Sequence, residues 1–159
     1  MARLSKYGIL ITLMTAVAVL LATSCDNGDC MGNSNGIPLA GFYHGDALVE
    51  VTDLTVYGVG APNDSAIIRN SQATQVYLPL KLNTNTCQYV FDYNIDGYPN
   101  DTLSLTYDII PYFESHECGA MFNFKIKEWT HTTNEIDSIA IPNPMITNTD
   151  VITIKIYMQ

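Results

Sequence analysis

Three short stretches carry residue types that bind metals or move protons. Asp92-Tyr93-Asn94-Ile95-Asp96-Gly97 offers oxygen ligands at alternate positions and a glycine where a calcium loop turns sharply. The place where such a loop needs a bidentate glutamate holds Leu103, although Asn100 and Asp101 supply other oxygens. The stretch therefore reads as a hairpin loop whose Tyr93 and Ile95 continue a strand. Glu114-x-His116-x-Cys118 would put three ligands on one side of an extended chain. An oxidised Cys118 cannot ligate metal, so a polar turn is the simpler reading. Ser115-His116-Glu117 contains the letters of a hydrolytic triad, but adjacent residues do not converge on one reacting atom. No G-x-S-x-G, phosphate-binding loop or dinucleotide fingerprint occurs. His44 near Asp46, and His131 among threonines, read as surface histidines. The expectation is a non-catalytic chain without metal or cofactor.

The elements that would position these residues are strands. Asp101–Lys127 reads as two long strands joined by a polar turn. Leu103, Leu105, Tyr107 and Ile109 alternate with polar residues on the first, and Ala120, Phe122, Phe124 and Ile126 do so on the second. That period of two gives each strand one apolar face, which other strands must cover. Further strands are expected at 37–43 and 47–59, and at 75–82 with Val76, Leu78, Leu80 and Leu82 in phase. Others follow at 87–93, 136–141 and 151–158, while 67–69 is too short to assign. Pro79 marks its strand as an edge or an end. Seven to eight short strands with turn signals and no convincing helix predict an all-β fold. The form expected is a single antiparallel β-sandwich of immunoglobulin-like type, with a closed barrel as the alternative.

The N-terminus supplies an address. Arg3 and Lys6 precede an apolar run from Tyr7 to Ala22, which ends in Leu21-Ala22-Thr23-Ser24-Cys25. Small residues just before a cysteine look like a bacterial lipoprotein signal, cleaved before Cys25, which then carries the lipid. Several acyl chains on one cysteine anchor firmly, at about 0.8 kcal/mol per buried methylene. Residues 1–24 are then signal peptide, 25–36 the lipidated cysteine and a flexible tether, and 37–159 the β-sandwich domain. Of the 159 residues, the mature part keeps five basic residues against sixteen acidic ones, a net charge of −11. This argues against nucleic acid, and against electrostatic attraction to anionic lipid, so the membrane link is the lipid on Cys25. The other partner expected is an unidentified envelope protein or glycan. The location expected is the cell envelope, at the outer membrane, with the periplasmic and surface faces both open.

Cys30, Cys87 and Cys118 remain, an odd number for an oxidising compartment. Three pairings are open. Cys30 with Cys118 is favoured because both sit in turn-like polar surroundings, and Cys87 with Cys118 competes. The favoured bond would contribute up to about 4–5 kcal/mol in the chain-entropy model, and Cys87 would be a buried free thiol. Tyr57, Tyr77 and Tyr157 lie opposite their strands' apolar rows and could form a stacking platform for glycans, though tyrosine is also favoured in strands without a function. The closing strand, long and apolar, pairs either within its own sheet, the favoured reading, or with a partner.

A longer pattern runs through the chain. Behind the cysteine-terminated signal come Asp53-Leu54-Thr55-Val56-Tyr57-Gly58, Tyr77-Leu78-Pro79-Leu80 and Asp101-Thr102-Leu103-Ser104-Leu105-Thr106-Tyr107, then Glu117-Cys118-Gly119 and Ile154-Lys155-Ile156-Tyr157. It resembles a family of small uncharacterised Bacteroidota lipoproteins known as a domain of unknown function. The resemblance implies an exported β-rich lipoprotein in which the cysteine near the tether pairs with the one in Glu-Cys-Gly, and it brings no catalytic residues. Asp64-Ser65-Ala66, Asp101-Thr102-Leu103 and Asp137-Ser138-Ile139 also resemble the O-glycosylation signal of exported Bacteroidota proteins, with Ser65, Thr102 and Ser138 as acceptors. An Asp before Ser or Thr equally marks a turn feeding a strand.

Overall fold

The computed structural model describes residues 35–62, 65–113 and 119–159. They contain eleven strands and no α-helix, all within the compact unit Asn33–Gln159. The strands are β1 (Leu39–His44), β2 (Ala47–Leu48), β3 (Val51–Gly58), β4 (Ala66–Ala73), β5 (Gln75–Tyr77), β6 (Thr86–Asp92), β7 (Asp101–Phe113), β8 (Ala120–His131), β9 (Ile136–Ala140), β10 (Met145–Ile146) and β11 (Ile152–Met158). One sheet has six strands in the order β10-β8-β7-β6-β3-β4. The other has five, in the order β2-β1-β11-β9, with β5 also paired to β1.

The expected period-two rows fill the space between the sheets. Leu54, Val56, Tyr89, Phe91, Leu103, Leu105 and Phe124 enter from the six-stranded sheet, and Ala40, Phe42, Val76, Ile154 and Ile156 from the five-stranded one. Phe42 meets Phe91 edge to face across the gap at 6.2 Å. Each Val, Leu, Ile or Phe among them contributes about 1.5–3 kcal/mol on burial. The central hairpin is longer than its alternation predicted, running from Asp101 to Phe113 and back from Ala120 to His131. Its phase holds, with Tyr107 opposite Ile126 and Ile109 opposite Phe124. A bulge at Thr106/Tyr107 leaves Lys127 without a partner residue in the register. At the hairpin's far end burial departs from the pattern: Met121 is buried and Ala120 is exposed.

Several expectations need correction. The two sheets are not purely antiparallel, because β1 runs parallel to β11, with Ala40 opposite Ile154 and Phe42 opposite Ile156. The strand count exceeds eight because β2, β5 and β10 are two or three residues long and carry no periodic signal. The predicted strand 75–82 stops at Tyr77, and Leu82 is 46 % exposed. The Leu78 N–H still donates to the Pro38 carbonyl at 2.9 Å, and beyond it side chains replace the ladder. The Tyr89 hydroxyl donates to the carbonyls of Leu78 (3.1 Å) and Pro79 (2.7 Å), and the Tyr107 hydroxyl donates to that of Lys81 (2.8 Å). The Lys81 N–H returns a bond to the Tyr107 oxygen at 3.0 Å. Burial raises the pKa of both phenols, so they remain neutral donors. The described chain already bonds to the six-stranded sheet at its first residues. Asn35 bridges to Phe122 on β8, the Gly36 N–H donates to the Phe122 carbonyl at 2.8 Å, and the Asn35 side chain accepts the Phe122 N–H at 3.1 Å. A Cβ on Gly36 would lie 2.8 Å from the Ile146 carbonyl oxygen, so only glycine fits.

One carboxylate ties the crossover between the sheets. Asp101, at the start of β7, has no exposed surface. Its oxygens accept from the Tyr93 hydroxyl (2.9 Å), the Thr132 hydroxyl (2.6 Å) and the N–H groups of Asn134 (2.8 Å), Glu135 (2.7 Å) and Ile136 (3.0 Å). Burial pushes its pKa up, but the Thr132 hydroxyl and the three N–H groups pull harder, and it lies below the usual carboxylate range.

Two outcomes follow. Deleting residues 152–159 removes a strand held between β1 and β9, and the cooperative thermal unfolding transition should vanish in near-UV circular dichroism. Retention of that transition would contradict an internal β11. Asp101→Asn places an amide N–H₂ against N–H donors and should lower stability by about 3 kcal/mol at pH 7, read as a shifted urea midpoint. Because the folded-state pKa is depressed, the contribution is present above the unfolded value of about 3.9 and is lost as pH falls through the folded value. The gap between Asp101→Asn and the parent should therefore close in acid.

Candidate functional site

The outer face of the six-stranded sheet is irregular where β3 meets β4. Asp53, Asn70 and Asn94 adopt left-handed backbone conformations, with φ of 53°, 42° and 53°. Asp and Asn tolerate this region better than other non-glycine residues. The β3–β4 register shifts between Val51 and Leu54, between Leu54 and Val56, and again between Val56 and Tyr57. The strands therefore splay instead of lying flat.

Thr55 holds the three left-handed segments together. It points away from the core yet is only 8 % exposed. Its hydroxyl oxygen accepts from the Asn70 N–H at 2.9 Å and from the Asn94 side-chain amide at 3.1 Å. The same amide donates to the Asp53 carbonyl. The Asp92 carboxylate caps the turn by accepting the Asn94 N–H at 2.9 Å. With both Thr55 lone pairs used, its O–H is left to donate.

The result is a hollow of about 570 Å³ whose polar and aromatic lining includes Thr55, Tyr57, Arg69, Asn70, Asp92 and Asn94. That size lies in the range of small-ligand sites. A second hollow of about 320 Å³ adjoins it beyond Gly58–Ala61, bounded by Pro79, Leu80, Lys81 and Tyr89. The Lys81 ammonium donates to the Val59 carbonyl at 2.9 Å and fixes the loop between them. The groove combines an aromatic ring with planar amides, a carboxylate, a guanidinium and a hydroxyl on backbone that is already in place. Such a surface can hydrogen-bond a polar ligand without first ordering itself.

Of the groove residues, the sequence reading singled out Tyr57 for stacking, Asp92 and Asn94 as oxygen ligands of a calcium-type loop, and Ser65 as a glycosylation acceptor. The anticipated platform of three tyrosines does not form. Tyr57 is on β3 of the six-stranded sheet, whereas Tyr77 and Tyr157 face outward from the five-stranded one. The Tyr77 hydroxyl donates to Asp150 at 2.6 Å, and this bond raises its pKa. Tyr157 packs against Tyr43 at 5.9 Å between ring centroids, and the Lys155 ammonium sits 5.0 Å from the Tyr43 centroid. Tyr43 was missed, although it follows core-facing Phe42 and so had to point outward.

The Asp92–Gly97 stretch is a closed turn with a Tyr98 N–H to Ile95 carbonyl bond of 3.1 Å. Asp101, a further oxygen considered for calcium, has both carboxylate oxygens engaged by protein donors. Cys87 is a buried free thiol, 3.2 Å from the Tyr107 hydroxyl. His44 is exposed beside Gly45, and His131 is half-buried at the end of β8. Cys25, Cys30 and Cys118, with the rest of 114–118, lie outside the described residues. Among the candidate acceptors, Ser65 is exposed at the groove's edge. Thr102 is half-buried and follows the inaccessible Asp101. Ser138 is exposed on the edge strand β9, bonded to Asp137 at 3.0 Å.

Fold and groove together define a two-sheet β domain with a preformed polar hollow on one outer face. The chain belongs to a family of unknown function, DUF6452, whose model matches residues 53–158, from β3 through β11. No curated protein and no solved structure matches it.

If Thr55 is the tie between Asn70 and Asn94, Thr55→Val strands two donors. It should lower stability by about 1–3 kcal/mol, seen as a lower urea midpoint at unchanged m-value. An unchanged midpoint would show that these segments hold their positions without Thr55.

Proposed function

We propose that the chain is a lipid-anchored, non-catalytic module of the cell envelope, at the outer membrane, that holds a partner in the groove of its six-stranded sheet. The observation that carries the binding part is the preformed groove, in which Asn70 and Asn94 sit on left-handed backbone tied together by Thr55. Backbone held in sparsely populated conformations clusters at sites of function. The anchoring part is supported by the basic start, the apolar run and the Leu21–Cys25 sequence.

A second reading, an accessory glycan-binding lipoprotein exposed at the surface, is favoured by one feature of the groove. Tyr57 lines the hollow together with Asn70, Asp92 and Asn94, so one surface offers residue types for stacking and for hydroxyl-directed hydrogen bonds. Tyr77 and Tyr157 play no part in this version.

Cys25→Ala should abolish labelled-palmitate incorporation and release the protein from the membrane fraction. Continued membrane association without label would rule out the lipid anchor. Protease shaving of intact cells then separates the readings. Loss of the protein, with Tyr57→Ala weakening retention on a glycan array at least tenfold, supports glycan capture. Full protection places the domain in the periplasm and excludes surface capture.

A further inference from the structure

The two hollows beside Gly58–Ala61 differ in chemistry and meet across a low saddle. The residues that line both are Gly58, Gly60, Ala61, Ser65 and Ala66, none larger than serine, so no long side chain walls one hollow from the other. A Cβ on Gly58 would stand 4.0 Å from the Tyr89 ring, and one on Gly60 would stand 3.8 Å from the Lys81 ammonium. Main-chain bonds hold the saddle, from the Val59 N–H to the Gln88 carbonyl at 2.8 Å and from the Ala61 N–H to the Gly58 carbonyl at 3.0 Å.

The larger hollow is polar without a net charge. Arg69 and Asp92 offset each other in its lining, and Asn70 and Asn94 add planar amides. In a chain of formal net charge −9, that lining suits uncharged hydroxyls better than an ion. The smaller hollow is apolar. Its own walls are Pro62, Ile67, Pro79, Leu80 and Tyr89, together with Lys81. The two prolines have no N–H to offer. The Tyr89 hydroxyl is engaged by the Leu78 and Pro79 carbonyls, the Lys81 N–H by the Tyr107 oxygen and the Lys81 ammonium by the Val59 carbonyl. A polar group entering this space would lose water and gain little in return, whereas an apolar group is favoured there.

We infer that the ligand is an amphiphile, with an uncharged, hydroxyl-rich head in the larger hollow and a short apolar limb that crosses the saddle into the smaller one. The inference rests on the glycan reading above and narrows it to a glycoside with an apolar aglycone. Size limits the limb. A space of about 320 Å³ holds roughly ten groups the size of a water or a methylene, at about 30 Å³ each, so the two chains of a membrane lipid do not fit. Each methylene of the limb that leaves water strengthens binding by about fourfold.

The test uses the full chain, reconstituted in phosphatidylcholine vesicles and dialysed to equilibrium against radiolabelled methyl or butyl β-D-glucoside, with protein-free vesicles as the blank. Butyl glucoside should bind about tenfold or more tightly than methyl glucoside, allowing for a limb that stays partly exposed. Tyr57→Ala should weaken both glucosides by the same factor. Ile67→Ser, shown to be folded by near-UV circular dichroism, should cut the butyl advantage to below about threefold. Equal affinity for the two glucosides, or a butyl advantage that survives Ile67→Ser, overturns the inference and leaves the glycan reading standing. Retention of neither glucoside refutes the glycan reading, and the inference with it.

Discussion

A charged carboxylate with no access to water is costly unless donors surround it, and Asp101 has five. Three of them are successive N–H groups of the chain that leaves β8 and enters β9, the passage from one sheet to the other. Thr102 and Thr132 reinforce it from both backbones, at 2.9 and 3.1 Å. The fourth and fifth donors are the hydroxyls of Thr132 and of Tyr93, and the latter sits between Asp92 and Asn94 at the groove. One buried charge thus sets the spacing of the sheets at this end and holds the segment from which the groove takes two of its polar side chains.

The opposite margin of the groove depends on phenols rather than on a carboxylate. Tyr89 and Tyr107 project from regular strands and satisfy the carbonyls of a segment that makes no ladder. Their rings fill the core while their hydroxyls do the work a neighbouring strand would otherwise do. The segment they fix includes Lys81, whose ammonium holds the Val59 carbonyl between the two hollows. The groove is therefore rigid for reasons that lie beneath it. Its left-handed residues persist because the layers below are well packed and fully bonded.

What could be read from the sequence was local. The rows Leu103-Leu105-Tyr107-Ile109 and Tyr89-Phe91-Tyr93, and the burial of Ile154 and Ile156, follow from alternation alone. The row Val76-Leu78-Leu80-Leu82 misled because four in-phase apolar residues look the same whether a ladder or a pair of tyrosine hydroxyls holds the backbone. The tyrosine platform failed because outward-facing was legible for each strand, while which sheet a strand joins was not. Nothing in Asp53-Leu54-Thr55 announces that Asn70 and Asn94, fifteen and thirty-nine residues later, will converge on the Thr55 hydroxyl. The groove is a product of non-local pairing, and local patterning does not reach that far.

The parallel partnership of β1 with β11 sets the order in which the molecule can be made. Ala40 meets Ile154 across more than a hundred residues, whereas β7 and β8 are joined by a short connection. Closing the short connection costs little chain entropy and can be rewarded at once, so the six-stranded sheet can assemble around its hairpin early. The other sheet has no centre until the last strand exists. A chain halted before Ile152 would leave β1 and β9 with bare backbone edges and the core open on one side. Completion of this domain is therefore a late, all-or-none event, and incomplete copies should be marked for proteolysis by the surface that β11 would have covered.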